Sequence, residues 1–172
     1  MARSIEQKRS RRQEQNTAKE VNGCIIPASG SRWHSKGDIR SDKFLIECKT
    51  TAKDCYRLTA KTWEKIAKEA LRDGIREPVM RLDLRTAHGD VTSFAVMYAW
   101  AYDKLRTLDL GGDYFTFIQH QGEHGSYLIK TGHAAEIARF MFICKKYPAV
   151  ISQVYDVAVF SWGLFLNYIN DV

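Results

Sequence analysis

Residues 44–49 read FLIECK, a short apolar run that carries an acid and a base two positions apart. If this run is a β-strand, alternate side chains share a face, so Glu47 and Lys49 lie side by side, roughly 7 Å apart along the strand. Burying a carboxylate and an ammonium in a sheet costs several kcal/mol unless each has a partner. Two interpretations are open: a neutralising ion pair at a strand end, or a divalent-metal site.

Asp38 opens the segment Asp38–Arg40, which we predict to be the neighbouring strand, and it adds a second carboxylate to the metal interpretation. Hard cations such as Mg²⁺ prefer oxygen ligands and bind through one or two carboxylates together with substrate phosphate. A metal there would polarise a phosphoryl group and lower the pKa of an attacking water, while Lys49 would orient that water and offset developing negative charge. The combination suits phosphodiester hydrolysis.

The net charge of +6 is unevenly distributed along the 172 residues. Residues 1–85 contain 20 Lys and Arg against 12 Asp and Glu, whereas residues 86–172 contain 6 against 8. A positive half attracts polyanions, and phosphate backbones are the commonest of these. Because many basic faces are merely solvated, the charge alone is only weak evidence for nucleic-acid binding.

The ordered motifs resemble a known family. Gly37-Asp38 followed by FLIECKTT at 44–51 is similar to the D-(x)n-E-x-K core of the PD-(D/E)XK nucleases. Upstream features are similar to the archaeal-type Holliday junction resolvases and their bacteriophage relatives; in chain order they are Gln13-Glu14, Ala18-Lys19, Gly23 and Pro27–Ser31. The resemblance covers residues 10–85, and residues 86–172 match no pattern that we recognise.

The resemblance implies a catalytic set, which in this sequence is Glu14, Ser31, Asp38, Glu47 and Lys49, with Glu14, Asp38 and Glu47 as ligands of Mg²⁺, for which Mn²⁺ would substitute. Ser29 is the alternative to Ser31. Glu20 is the reserve for Glu14, and the two lie about 240° apart around a helix, so both cannot face one site. Gly37 stands where the family name has a proline, and we expect this to be harmless because the aspartate carries the chemistry.

Several basic and aromatic residues are candidates for nucleic-acid binding: Arg9, Arg11, Arg12, Arg32, Trp33, Lys36, Lys53, Tyr56 and Arg57. The three N-terminal arginines would contact phosphates without reading bases. Trp33 could stack on an unpaired or distorted strand, or equally serve as a lid over the core edge. Lys53, Tyr56 and Arg57 would lie at the rim of the site, and a solvated turn is the alternative.

The elements that must position these residues are typical of an α/β fold with a central mixed β-sheet flanked by helices. The resemblance implies that this is a restriction-endonuclease-like core. We expect a basic flexible arm over 1–12 and a single domain over 13–172, with its core at 13–100 and a C-terminal extension at 101–172. We predict a first helix that ends near Val21. Further helices are predicted over 59–73, 100–108 and 134–146. The predicted strands span 24–26, 38–40, 44–50, 79–84 and 93–98, with a hairpin at 113–120 and 126–130. Residues 150–169 are ambiguous between strand and helix.

Composition narrows the class of protein. The sequence shows no apolar stretch long enough to span a bilayer and no signal-peptide pattern, so we expect a cytoplasmic protein, which includes a phage-encoded one in its host. The four scattered cysteines predict free thiols rather than a zinc site. The resemblance implies the leading hypothesis, a DNA endonuclease that acts as a homodimer on branched DNA, where two symmetric sites would cut two symmetric strands. The alternatives are a nicking or restriction-type nuclease on duplex or single-stranded DNA, and a non-catalytic DNA-binding module.

Overall fold

The structure is a computed structural model, and it describes residues 4–27, 37–101, 119–121, 126–131, 138–145 and 152–170. Its helices are α1 (Ile5–Glu20), α2 (Ala60–Arg72) and α3 (Trp162–Asn170). Its strands are β1 (Cys24–Ile25), β2 (Ile39–Arg40), β3 (Phe44–Thr50), β4 (Cys55–Thr59), β5 (Glu77–Arg85), β6 (Val91–Tyr98), β7 (Gln119–Gln121), β8 (Ser126–Lys130), β9 (Ala138–Lys145) and β10 (Ser152–Ser161). Residues 99–101 are also helical.

Eight strands form one mixed sheet in the order β1-β2-β3-β5-β6-β10-β9-β7. The pairs β3–β5 and β7–β9 are parallel, and the other neighbours in this sheet are antiparallel. The remaining strands, β4 and β8, form a separate antiparallel pair. The predicted fold class, a central mixed sheet flanked by helices, is therefore confirmed.

The sheet separates two apolar clusters. Helices α1 and α3 cover one face, where Phe165 and Tyr168 pack with Ile46 and other sheet residues. Helix α2 and the β4–β8 pair cover the other face, where Trp63 and Leu58 are fully buried. Because both faces are covered, β3 is buried from its first residue through its fifth. Any charged side chain in that stretch must therefore be held by its neighbours.

The first helix begins earlier than predicted. The expected flexible arm at 1–12 is wrong for residues 5–12, which belong to α1. A capping box explains this start: the Ser4 side chain accepts from the Gln7 backbone N–H at 3.2 Å, and the Gln7 side chain accepts from the Ser4 backbone N–H at 3.0 Å. The basic residues of this segment are thus fixed on a helix surface.

The C-terminal half departs most from the prediction. The helix predicted over 134–146 is wrong, because residues 138–145 form β9, which pairs with β10 along its whole length. Aromatic and β-branched residues in this segment favour a strand, and sheet pairing outweighs a helix-like apolar spacing. The hairpin predicted at 113–120 and 126–130 is also wrong, since β7 pairs with β9 and β8 pairs with β4. Residues 113–118 of that hairpin, and most of the helix predicted at 100–108, lie outside the described residues.

The ambiguous segment at 150–169 contains both kinds of element. Residues 152–161 form strand β10, and residues 162–170 form helix α3. Strand β10 pairs directly with β6, so this part of the expected extension completes the main sheet. The strand β4 had no counterpart in the prediction. None of the helices in the described residues combines the length and apolar character that crossing a bilayer requires.

Gly37 fixes the approach to β2. Its φ of +75° lies in the left-handed region that side chains disfavour. A Cβ placed there would lie 2.7 Å from the side-chain Cγ of Leu45. A proline, whose ring holds φ near −65°, could not adopt this conformation. Glycine is therefore required by the local backbone at position 37, which then leads directly into Asp38.

Candidate active site

Asp38 lies one residue before β2, between β3 and the end of β1, since its carbonyl oxygen accepts from the backbone N–H of Ile26 at 2.8 Å. Its backbone N–H donates to the carbonyl oxygen of Ile46 at 3.0 Å, which anchors it against β3. Its carboxylate oxygen Oδ2 accepts a hydrogen bond from the backbone N–H of Cys48 at 2.8 Å. Because β2 begins only at Ile39, the side chain of Asp38 takes a pairing position that the strand itself does not fill. The carboxylate is thereby fixed beside the peptide that joins Glu47 to Cys48.

Glu47 and Lys49 form an ion pair on β3. The ammonium Nζ of Lys49 donates to Oε1 of Glu47 at 2.6 Å. The two side chains differ in environment, since that of Glu47 is 9% exposed and that of Lys49 is 40% exposed. Strand alternation places both on the face opposite to Ile46 and Cys48, which pack in the cluster under α1. The expected acid–base pair therefore consists of a buried carboxylate and an ammonium that reaches solvent.

Two contacts fix helix α1 across this part of β3. The side-chain Nε2 of Gln13 donates to the backbone carbonyl of Lys49 at 3.0 Å. The thiol of Cys48 donates to the hydroxyl of Thr17 at 3.6 Å. Glu14 is adjacent to Gln13 on the helix and is partly buried. The helix thus carries a third carboxylate to the end of β3 where Asp38 lies.

The pKa of Glu14 is raised above its usual value of 4.5. Burial is the largest cause, the carboxylate of Asp38 is the next that raises it, and the carboxylate of Glu47 adds a smaller effect. The hydroxyl of Ser10, which donates to Oε1 of Glu14 at 3.3 Å, and the charge of Arg11 act in the opposite direction. Because these effects require proximity, the three carboxylates share one electrostatic environment.

The pKa of Lys49 is raised above 10.5. Partial burial acts to lower it and is the largest single influence, but the hydrogen bond and charge of Glu47, with the charge of Asp38, outweigh it. Lys49 therefore stays protonated at neutral pH and can donate hydrogen bonds but not accept a proton. Tyr56 belongs to the same environment, since burial raises its pKa while the Lys49 charge opposes that rise.

Glu20, the reserve candidate, lies in a different network. Its Oε2 accepts hydrogen bonds from Arg81 and, at 2.9 Å, from the indole Nε1 of Trp162. The Arg81 guanidinium lies 4.7 Å from the centre of the Trp162 ring and also reaches Asp83 at 3.3 Å. Glu20 thus neutralises a buried arginine, and Glu14 is the carboxylate of α1 that lies near Asp38.

A divalent cation is compatible with this site in donor chemistry. Within the described residues, no group of three or more His, Cys, Asp or Glu side chains is arranged to hold a metal ion. Glu14 comes from the α1 side of β3 and Glu47 projects from the other face, so the three do not form a complete cage. Mg²⁺ needs only one or two carboxylates, with water and substrate phosphate completing its shell. Asp38 and Glu47 can supply these two, and a cation there would relieve the repulsion that raises the pKa of Glu14.

The remaining predicted residues are distributed around this site. Arg9 lines a groove next to Lys49, and Arg11 is close enough to Glu14 to affect its pKa. The side chains of Arg12, Lys53 and Arg57 are exposed, and Arg57 donates to the Ser126 hydroxyl at 3.1 Å. Four predicted residues, together with the alternative serine, lie outside the described residues: Ser29, Ser31, Arg32, Trp33 and Lys36.

Sequence reasoning missed three polar residues that organise the site: Ser10, Gln13 and Thr17. Ser10 lies one helical turn before Glu14, a spacing that brings two side chains together on a helix, so it could have been found. Gln13 is buried, and its Oε1 has no hydrogen-bond partner within the part of the chain that the structure describes. The roles of Gln13 and Thr17 depend on contacts with β3 that no local pattern indicates.

Comparisons with protein-family models, with curated proteins and with solved structures found no significant match for this chain.

Proposed function

We propose that this protein is a metal-dependent endonuclease that hydrolyses phosphodiester bonds in DNA, with Mg²⁺ as its cofactor and Mn²⁺ able to replace it. The observation that carries the proposal is the grouping of Glu14, Asp38, Glu47 and Lys49 where α1, β2 and β3 meet. A single ion pair with Glu47 would satisfy Lys49, but the charge of Asp38 also acts on Lys49, and Glu14 lies within range of Asp38 and Glu47. Such an excess of negative charge is typical of a cation-binding site.

Each residue of the site has a separate role in the proposed reaction. Asp38 and Glu47 would hold the cation, with Glu14 as a further ligand or as a ligand of its bound water. A bound cation would lower the pKa of the attacking water and would place a positive charge next to the phosphoryl oxygens. Lys49, which stays protonated, donates a hydrogen bond to the attacking water or to a phosphoryl oxygen and offsets the negative charge that develops there.

The preference for branched DNA and the homodimer rest on the resemblance of residues 10–85 to the archaeal-type Holliday junction resolvases. A four-way junction has two symmetric strands to cut, so two copies of this site related by a two-fold axis would match it. The basic N-terminal half supplies the charge that a phosphate backbone requires. A nicking or restriction-type nuclease would use the same catalytic residues on a different DNA shape.

The test is cleavage of end-labelled four-way junction, linear duplex and single strand with Mg²⁺ or with EDTA. The variants are Asp38→Asn and Glu47→Gln, which keep the side-chain volume and remove one charge. Glu64→Gln is the matched control, because Glu64 is paired with Lys68 on the surface of α2, on a different element. We expect metal-dependent cleavage in the wild type and the control, and loss of at least about 100-fold in both site variants, as for removal of a key electrostatic group.

Binding is measured in parallel with Ca²⁺, which occupies oxygen sites but supports hydrolysis poorly. Site variants that bind the junction but do not cut it support the proposal. Cleavage in EDTA, or a fully active Glu47→Gln, would refute the metal mechanism. If plain duplex is cut as fast as the junction, the protein is a nuclease without a preference for junctions. Binding without any cleavage would favour a non-catalytic DNA-binding module.

A further inference from the structure

An open groove of about 390 Å³ extends from the candidate active site along the first two turns of α1. Glu6, Arg9 and Ser10 line one wall, which belongs to the helix. Lys49, Thr50 and Thr51 line the other, at the end of β3. Residues three and four apart share a helix face, which explains why these helix positions open onto one groove.

Two of the residues that line the groove contact candidate catalytic residues. Lys49, whose ammonium binds Glu47, forms part of the wall. On the opposite wall, the Ser10 hydroxyl donates to the carboxylate of Glu14. A polymer whose reacting group lies between Lys49 and the carboxylates can therefore continue directly into the groove.

The lining is chemically suited to a phosphate group. Arg9 offers a guanidinium, which binds phosphate through two parallel hydrogen bonds. The hydroxyls of Thr50 and Thr51 add weaker donors. Glu6 lies one turn before Arg9 and would repel an anion, so the favourable position is at the Arg9 end of the groove.

From these contacts we propose that the groove binds one phosphate of the substrate strand, the one next to the scissile phosphate. Arg9 is the principal residue that binds it. The inference rests on the proposed nuclease function for the identity of the scissile phosphate. It singles out Arg9 among the basic residues of α1, because Lys8, Arg11 and Arg12 do not line this groove. The strand path is thereby fixed: it passes Lys49 and leaves between α1 and the end of β3.

The test compares Arg9→Gln with Arg72→Gln by fluorescence anisotropy of labelled DNA in Ca²⁺ over a range of salt concentrations. Glutamine retains high helix propensity, so both variants should fold, and circular dichroism verifies this. Arg72 is the matched control, since it is exposed at the last turn of α2 and lies outside the groove. Losing one phosphate contact should lower the slope of log K against log[salt] by about 0.9 and weaken binding about 5- to 10-fold near 0.1 M salt.

A neutral methylphosphonate, placed at one phosphate at a time along the strand, locates the contact. In the wild type, the substitution next to the scissile phosphate should weaken binding as much as Arg9→Gln does, and it should have no further effect in that variant. Additive losses at that position, or an unchanged salt slope in Arg9→Gln, would overturn the assignment. Binding is measured in Ca²⁺, so it does not depend on cleavage. If Arg9 contacts DNA in a protein that never cuts it, the proposed nuclease function is refuted while the groove remains a phosphate-binding site.

Discussion

Removing Lys49 should destabilise the protein more than removing its partner Glu47. The Glu47 side chain is 9% exposed and that of Lys49 is 40% exposed, so the loss of each leaves the other in a different environment. In Lys49→Met, a buried carboxylate loses its counter-charge while Asp38 and Glu14 remain nearby. In Glu47→Gln, the ammonium can turn toward water and still interacts with Asp38.

The magnitude follows from this asymmetry. Breaking a buried ion pair by removing one partner costs about 3–5 kcal/mol. Because water reaches the pair from the side of Lys49, we expect about 2–3 kcal/mol for Lys49→Met. For Glu47→Gln we expect less than about 1 kcal/mol, the value typical of an exposed charge. In thermal unfolding, a difference of about 2 kcal/mol corresponds to a melting temperature that is lower by roughly 4–8 °C for a chain of this length.

The assay is urea denaturation in EDTA and again with Mg²⁺. A cation that binds only the folded state at 100 times its Kd adds about 2.7 kcal/mol of stability. We expect Mg²⁺ to restore Lys49→Met more than it stabilises Glu47→Gln, which has lost a ligand. Equal destabilisation of the two variants in EDTA, with no effect of Mg²⁺ on either, would refute this reasoning and leave a plain structural ion pair.

Further predictions concern Glu14 and Glu20 of α1 and the glycine before β2. Since the pKa of Glu14 is raised, its contribution to stability is full below the ordinary value of 4.5 and is lost as the pH rises through the raised pKa. Glu14→Gln should therefore gain stability relative to the wild type between pH 4.5 and pH 7, and it should lose cleavage. The measurement is the urea midpoint of both proteins across that range, and a difference that stays constant or reverses would contradict the prediction. Glu20→Gln should lose about 1–3 kcal/mol because the buried Arg81 loses one of its two carboxylate partners and keeps only Asp83, yet keep its cleavage rate per folded molecule; a catalytic defect in the folded variant would instead place Glu20 in the site. Gly37→Ala should lose at least about 1–2 kcal/mol from its positive φ alone, more from the 2.7 Å approach to Leu45, and cleavage should fall with it; a wild-type midpoint would contradict this.

The N-terminal half of the fold was predictable because its signals are local. Strand β3 matches its predicted bounds, and α2 begins and ends within one residue of them. Both segments have a clear apolar period, with Thr59 as a helix cap and Gly74 as a stop. The start of α1 was missed because its sequence is nearly all polar, and only the pairing of Ser4 with Gln7 indicates where it begins.

The C-terminal half was not predictable in the same way. In residues 138–145 the apolar spacing fits a helix as well as a strand, and pairing with β10 decides between them. That partner lies further along the chain and was itself ambiguous. Strand β8 pairs with β4, about seventy positions away. Contacts at such separations are set by the whole sheet, so no window of the sequence contains them.

The site shows the same division between local and long-range information. Strand alternation alone predicts that Glu47 and Lys49 share a face, and the ion pair between them follows from it. The choice between Glu14 and Glu20 required the rotation of α1 against the sheet. That rotation is fixed by Gln13 and by the pairing of Glu20 with Arg81, both of which are long-range contacts. A motif can therefore name the carboxylates, whereas tertiary packing selects among them.

An ion pair at a strand end remains the simplest alternative for Glu47 and Lys49, and the two groups do form one. It explains the burial of one carboxylate, but it does not explain why Asp38 is held within range of Lys49, or why Glu14 is held within range of both Asp38 and Glu47. Burial is the largest cause of the raised pKa of Glu14, and the charges of Asp38 and Glu47 add to it, so this arrangement does not stabilise the folded protein at neutral pH. A cost of this kind is typical of sites where a ligand of opposite charge offsets it; under the proposed function, a cation shared with an anionic phosphate would offset the carboxylates, and the protonated lysine would face the phosphate.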